Sequence, residues 1–258
     1  MANDYGSMAR YYDILYPKVD DIQFYKEYVE HVQSPVLELA SGTGRLLVPI
    51  AQWGKEVYGL EIDPSITNVA KEKIAKEKEE VQHRIHIFGG DMRTFSLDMN
   101  FNLIISAFSV LREITTADER RQVIASAYNN LSTSGILIID NNNGIRRKGE
   151  KAVLEFNGSF KDEATAETIT AFEVHKWNEE LKKNEHHIFI DRSKKDGSLR
   201  RENYYLELNY IPPEETLSQL KNIGFRRIDV YSDYSKSPFD WGNILNNKRQ
   251  IFVAKRKE

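Results

Sequence analysis

Cysteine is absent from the 258-residue chain, which excludes disulfide staples, thiolate metal sites and any thiol nucleophile. A one-sided charge is missing as well. The 36 basic and 39 acidic side chains leave a net charge of −3, whereas a nucleic-acid binder usually carries a basic footprint. No apolar run approaches the length needed to span a bilayer, and the N-terminus has no basic start followed by an apolar stretch. The expectation is a cytoplasmic protein with neither membrane nor nucleic acid as partner. The local basic runs, Arg146 to Lys148 and Arg192 to Arg201, are diluted by acids and read as solvated faces.

What is present is an alternation. Asp20 to Val32 has apolar residues at helical spacing, and then short apolar runs take turns with helical segments. Strands are expected at Val36 to Leu39, Glu56 to Leu60, Arg84 to Phe88, Phe101 to Ser106 and Gly135 to Asp140. Helices are expected between them, one at Arg45 to Trp53, one capped by Asp63 before Pro64 and running to about Lys78, and one opened by the capping box Thr116 to Glu119. Such alternation implies a parallel sheet covered on both faces.

After Asp140 the period changes to two. Thr168 to Trp177, Glu185 to Arg192 and Leu199 to Tyr210 read as three antiparallel strands, with an Asp196-Gly197 hairpin signal between the last two. A helix at Pro212 to Asn222 and strands at Phe225 to Tyr231 and Gln250 to Lys255 then return to the first pattern. The expected organisation is an α/β domain of residues 1–140 and 211–258, with residues 141–210 as an antiparallel β lid over the active site.

The chemistry sits at strand ends. Glu38 precedes the glycine turn Ser41 to Gly44, Glu61 closes the second strand, and Gly90-Asp91-Met92 follows the third. A glycine turn between strand and helix brings backbone N–H groups and a positive helix end to the sheet's carboxyl edge. A dinucleotide fold wants a third glycine where this chain has Leu47, and an anionic Glu38 would repel a pyrophosphate. Facing an ammonium, Glu38 is favourable. Glu61 suits two ribose hydroxyls, Asp91 an adenine amine, and Ile62 an adenine face. A ligand with an amino acid at one end, a ribose between and an adenine at the other is S-adenosylmethionine.

Taken in order, Glu38 to Gly44, Gly59 to Pro64, Gly90 to Arg93, Phe101 to Ala107 and Ser134 to Asp140 resemble class I S-adenosylmethionine-dependent methyltransferases. The small-molecule branch, with a Tyr-Asp segment like Tyr11 to Tyr16 and a β lid after the fifth strand, is the nearest likeness. The resemblance implies a Rossmann-like seven-stranded, mostly parallel sheet with an antiparallel final hairpin. It also implies S-adenosylmethionine as cofactor and S-adenosylhomocysteine as product. By position it places Glu38, Ala40 and Gly42 around the methionine part, Glu61 and Ile62 at ribose and adenine, and Asp91 and Met92 at adenine. Ala107 would bring a backbone carbonyl to the sulfonium end, Tyr12 would close over the methionine carboxylate, and Arg45 would offer it charge. Ala40 and Asn102 depart from the family's usual Gly and Asp.

The acceptor is less legible. The Asn/Asp-Pro-Pro-Tyr/Phe signature of nucleic-acid and protein amide methylators is missing where Ser106 to Ser109 stands. Asp140-Asn141 resembles part of a catechol-type magnesium site, but the fourth strand supplies no third carboxylate, so no metal is expected. The six histidines are scattered, and His186 and His187 point to opposite faces of one strand. Tyr16, Arg112, Asn141, Asn142, His175 and Tyr205 are candidates near the cleft, with His175 read as a lid-face residue and Tyr205 as packing; no catalytic residue is assigned. The expected activity is methyl transfer to an oxygen or nitrogen of a small metabolite. The alternative is a non-catalytic S-adenosylmethionine-binding sensor or partner subunit.

Overall fold

In the computed structural model, residues 5–16, 20–144, 152, 154–162 and 165–256 are described; the basic run Arg146 to Lys148 lies outside them. The chain opens with α1 (Tyr5–Leu15), α2 (Ile22–His31), β1 (Val36–Leu39), α3 (Leu47–Gln52), β2 (Val57–Glu61), α4 (Pro64–Ile74), α5 (Glu79–Gln82) and β3 (Ile85–Gly89). It continues through β4 (Phe101–Ser106), α6 (Ala117–Asn129), β5 (Leu131–Asn142), β6 (Leu154–Lys161), β7 (Thr168–Asn178), β8 (Lys183–Ser193) and β9 (Leu199–Asn209). It closes with α7 (Pro213–Ile223), β10 (Phe225–Tyr231) and β11 (Arg249–Arg256). Contacts divide it into two units, residues 20–143 with 211–258, and residues 1–19 with 144–210.

The larger unit holds a seven-stranded sheet of order β10-β11-β5-β4-β1-β2-β3. β1 to β5 are mutually parallel, and β11 runs antiparallel to both its neighbours. This is the Rossmann-like α/β sheet the sequence implied, final hairpin included. Its central strands are buried on both faces and so alternate between two cores. Leu37 and Leu39 join Leu60, Ile104 and Ile139 on one face, while Val36 joins Val57, Leu103, Ile105 and Ile138 on the other.

Caps explain the starts of α4 and α6. The Asp63 carboxylate accepts from the Ser65 and Ile66 N–H groups with Pro64 in the first turn, and Thr116 and Glu119 complete a reciprocal capping box. The helix expected to reach Lys78 instead ends at Ile74; residues 75–78 turn, and the short α5 follows from Glu79. The strand order reverses at β1, between β2 and β4, and in open α/β sheets such a switch point opens a crevice at the strands' carboxyl ends.

The smaller unit holds a second sheet, β6-β7-β8-β9, antiparallel throughout. The Asp-Gly hairpin stands as expected, with Gly197 at φ +83 and the Lys194 N–H donating to Ser198 O. Two expectations change. β6 adds a fourth strand; its exposed Leu154 and Phe156 and its Gly158 blurred the alternation. Residues 1–19, grouped by sequence with the parallel sheet, belong to this unit. Met8, Tyr11 and Leu15 of α1 pack on Ile169, Ala171, Ile188, Ile190 and Leu206, so a helix covers the sheet's apolar face.

Candidate functional site

Between β1 and α3 the backbone turns sharply, with Ala40, Gly42 and Gly44 at φ +50, +57 and +74. Glycine enters this region freely, whereas Ala40 does so at a cost of about 1 kcal/mol. The Gly42 N–H donates to Glu61 Oε2 at 2.9 Å, and the Asp63 N–H donates to Glu61 Oε1 at 2.9 Å. Glu61 thus ties the end of β2 to the glycine turn, and each carboxylate oxygen keeps a second lone pair for a ligand. A Cβ at Gly59 would stand 2.5 Å from Ser41 Oγ and 2.8 Å from Leu47 Cδ1. Only glycine lets the turn lie this close to β2.

Glu38 shares the face of Val36 and is 5% exposed. Its Oε2 has no hydrogen-bond partner. Burial pushes the Glu38 carboxyl up to about 8, and the neighbouring charges of Asp21 and Glu61 push the same way against Arg45 and Lys73. A buried acid with a bare oxygen is poised for a cation. Arg45 does not lie open for a ligand carboxylate. Its guanidinium makes a fork on the buried Asp21 at 2.8 and 2.7 Å and stacks 5.2 Å from the Phe108 ring centre. Asp21 was missed by sequence because it reads as an ordinary helix start.

Beyond β3, Asp91 is engaged rather than open. Arg93 donates to it from its backbone N at 2.8 Å, from Nε at 3.0 Å and from Nη2 at 2.6 Å. These hydrogen bonds hold the Asp91 carboxyl below its usual range. Arg93 also reaches Glu119 at the start of α6, so one arginine clamps the loop after β3 to a helix. Met92 packs on the apolar core. Ile62 is 66% exposed, an apolar side chain beside Glu61 on the outer lip of the sheet.

At the end of β4, Ala107 is buried and its carbonyl accepts from the Val110 N–H. Phe108 and Ser109 follow at φ +54 and +71, two strained residues in succession where the chain leaves the sheet. Strain of this kind concentrates where geometry serves a ligand. The Ser109 N–H donates to Asp140 O, and the Asn142 N–H to Ser109 Oγ. Asp140, which resembled a magnesium ligand by sequence, is filled with protein donors instead. Tyr25 and Tyr234 hydroxyls donate to Oδ2 at 2.9 Å each, and Arg249 Nε to Oδ1 at 2.6 Å. Burial and the Asp140 charge hold both tyrosines protonated. Arg112, fully buried, donates to Asn142.

Tyr12 lies on α1 in the smaller unit, edge-on to the rings of Tyr5 and Tyr16. Tyr205, read as a packing residue, is 42% exposed and donates to Glu207 at 3.0 Å. The larger unit therefore brings Glu38, Ala40, Gly42, Arg45, Glu61, Ile62 and Ala107 to the ends of β1, β2 and β4, with Asp91 and Met92 just past β3.

Residues 36–135 match a family model described as a methyltransferase domain. An uncharacterized methyltransferase of Bacillus mycoides is 29% identical over 142 residues, a stretch that covers 54% of this chain and 61% of the relative. Among solved structures, the CcbJ methyltransferase from Streptomyces caelestis aligns over the whole of both chains with a TM-score of 0.77 and 21% identity. S-adenosylmethionine-bound CalS10, an amino pentose methyltransferase from Micromonospora echinaspora, aligns over 98% of this chain and 96% of its own at 0.69 and 17%. At such identities the two structures speak for the fold.

Proposed function

With a class I S-adenosylmethionine-dependent methyltransferase domain as its larger unit, this chain, we propose, transfers the methyl group of S-adenosylmethionine to a nucleophile of a small acceptor. The observation that carries the reading is Glu38, a buried carboxyl with an unpartnered oxygen at the mouth of a left-handed glycine turn. It suits the ammonium of the methionine moiety. Glu61 has lone pairs to spare for two ribose hydroxyls, and Ile62 offers an apolar surface to one face of adenine. Asp91, oriented by Arg93, would accept from the adenine amine.

Methyl transfer from a sulfonium is an in-line displacement in which positive charge disperses. The S–CH3 bond breaks as the bond to the nucleophile forms, and the thioether leaves neutral. Alignment and exclusion of water supply most of the rate. We read the acceptor as an amine on a sugar-sized molecule; CalS10 is described as an amino pentose methyltransferase. An amine attacks through its lone pair and releases its proton afterwards, so no buried base is required. The smaller unit, residues 1–19 and 144–210, is assigned the role of lid, with Tyr12 closing on the methionine carboxylate. The cytoplasm is the proposed location; among the described residues no helix is long and apolar enough to cross a membrane.

The test is thermal melting with S-adenosylhomocysteine and, separately, NAD. At a hundredfold excess over Kd, S-adenosylhomocysteine should stabilise the fold by about 2.7 kcal/mol. Glu61→Ala should remove most of that shift and Asp91→Ala part of it. Stabilisation by NAD alone would refute the cofactor assignment. Transfer of labelled methyl to hydroxylated sugars but not to their amino counterparts would refute the acceptor.

A further inference from the structure

Along β7, Glu173 and His175 sit two residues apart and so share one face of the smaller sheet. Across the ladder His175 is paired directly with His186 of β8, which brings the two imidazoles together, their ring centres 4.3 Å apart. By sequence His175 reads as a lone lid-face residue, and His186 stands beside His187, whose side chain diverges from it. The pair that converges is separated by a hairpin and becomes visible only with the register.

The polar ends of the three side chains cluster. His186 Nδ1 lies 2.7 Å from Glu173 Oε1, and His175 Nε2 lies 3.5 Å from Glu173 Oε2. One ligand atom from each residue falls within 4.8 Å of the others. A tetrahedral ion with bonds of about 2.0–2.2 Å holds its donors about 3.3–3.5 Å apart, so small rotations would seat one here. On the other side, Glu155 of β6 is paired with Glu173 and brings Oε2 to 3.8 Å from His175 Nε2. The Asn157 amide donates to Glu173 Oε2 at 3.2 Å, the kind of outer contact that fixes a carboxylate ligand.

The setting favours a cation. Glu173 is 1% exposed and borders the apolar cluster of Ala171, Ile188 and Leu206. A carboxylate so enclosed is costly unless its charge is met. Two imidazoles and one or two carboxylates form a borderline donor set, suited to zinc and its neighbours rather than to calcium or magnesium.

We propose that Glu173, His175 and His186, with Glu155 as fourth ligand, form a binding site for a divalent transition-metal ion of the zinc class that staples β6, β7 and β8. The role is structural. Methyl transfer calls on no metal, so this site stands or falls apart from the proposed activity.

Full-length protein stripped with a chelator and dialysed is titrated with Co2+ and then with Zn2+. The expected result is visible d–d absorption of low-coordinate Co2+, saturating at a single ion per chain and displaced by Zn2+, with a rise in melting temperature. Glu173→Gln and His175→Ala should each weaken Zn2+ binding by about 100-fold. His187→Ala, altered on the opposite face, should leave it unchanged. Should His175→Ala fail to fold, the near-isosteric Glu173→Gln and the wild-type titration decide. Absence of the bands, or their persistence in the variants, overturns the proposal and leaves a proton-linked carboxylate–imidazole network.

Discussion

Glu38 is the residue whose environment and chemistry pull hardest against each other. Its carboxyl is raised to about 8 by burial first, then by Asp21 and Glu61. A raised acid binds its proton more tightly folded than unfolded, so its contribution to stability is complete below its unfolded value and is lost as pH climbs through about 8. Each unit of separation is worth about 1.4 kcal/mol. The apoprotein should therefore melt at falling temperature from pH 5 to pH 9, and Glu38→Gln should flatten that slope and exceed wild type at the alkaline end. A melting difference independent of pH would remove Glu38 from this account. The ligand reverses the balance. An ammonium beside Glu38 favours the carboxylate, so S-adenosylmethionine binding near pH 7 should release a proton, measurable by calorimetry in buffers of unlike ionisation enthalpy, and Glu38→Gln should abolish the release. Gly59 makes a steric counterpart. A methyl 2.5 Å from Ser41 Oγ and 2.8 Å from Leu47 Cδ1 forces β2 and the glycine turn apart, and Gly59→Ala should cost about 1–3 kcal/mol in denaturant unfolding. It should also lower ligand affinity, since Glu61 would lose its grip on Gly42. Unchanged stability would mean that the turn can shift without loss.

At the scale of elements, the parallel strands and the capped helices were legible because each announces itself locally. Buried strands read as short apolar runs, and Asp63 and Thr116 carry their caps with them. Sequence also placed the acids at strand ends, since a strand's end can be read from its turn. Partners drawn from far along the chain could not be read that way. Arg93, the clamp on Asp91, is itself held by Glu119 from the start of α6, and Arg45 forks on Asp21, twenty-four residues before it. Asp140 is the plainest instance. One buried carboxylate joins α2 through Tyr25, β11 through Arg249 and the loop after β10 through Tyr234. Breaking a buried pair strands its other charge, at about 3–5 kcal/mol. Asp140→Asn should cost that much in chemical denaturation because Arg249 is left uncompensated, whereas Tyr25→Phe, which removes one neutral donor, should cost about 1 kcal/mol. Equal losses would mean that the hub acts by shape rather than by charge.

For the whole molecule, the unit to which α1 belongs is the feature hardest to read from sequence, and the reason is physical. Residues 5–16 carry apolar side chains at helical spacing, yet nothing local says which sheet they cover. Met8, Tyr11 and Leu15 complete the core of the antiparallel sheet from the far end of the chain. A unit closed by its own N-terminal helix has a reason to fold and melt as a piece. Hydrogen exchange can separate their roles. S-adenosylhomocysteine should slow exchange at Gly42 N–H and Asp63 N–H, both held by Glu61, and through the ends of β1, β2 and β4. If the smaller unit serves as the lid proposed for it, α1 around Tyr12 should gain protection from the same ligand, and Tyr12→Ala should reduce that gain without altering exchange in β8 and β9. Protection confined to the larger unit would leave the cofactor site standing and strip the smaller unit of its role as lid. Zn2+ should do the converse, slowing amides of β7 and β8 while leaving the glycine turn untouched. Two ligands of unrelated chemistry would then report on the two units one at a time.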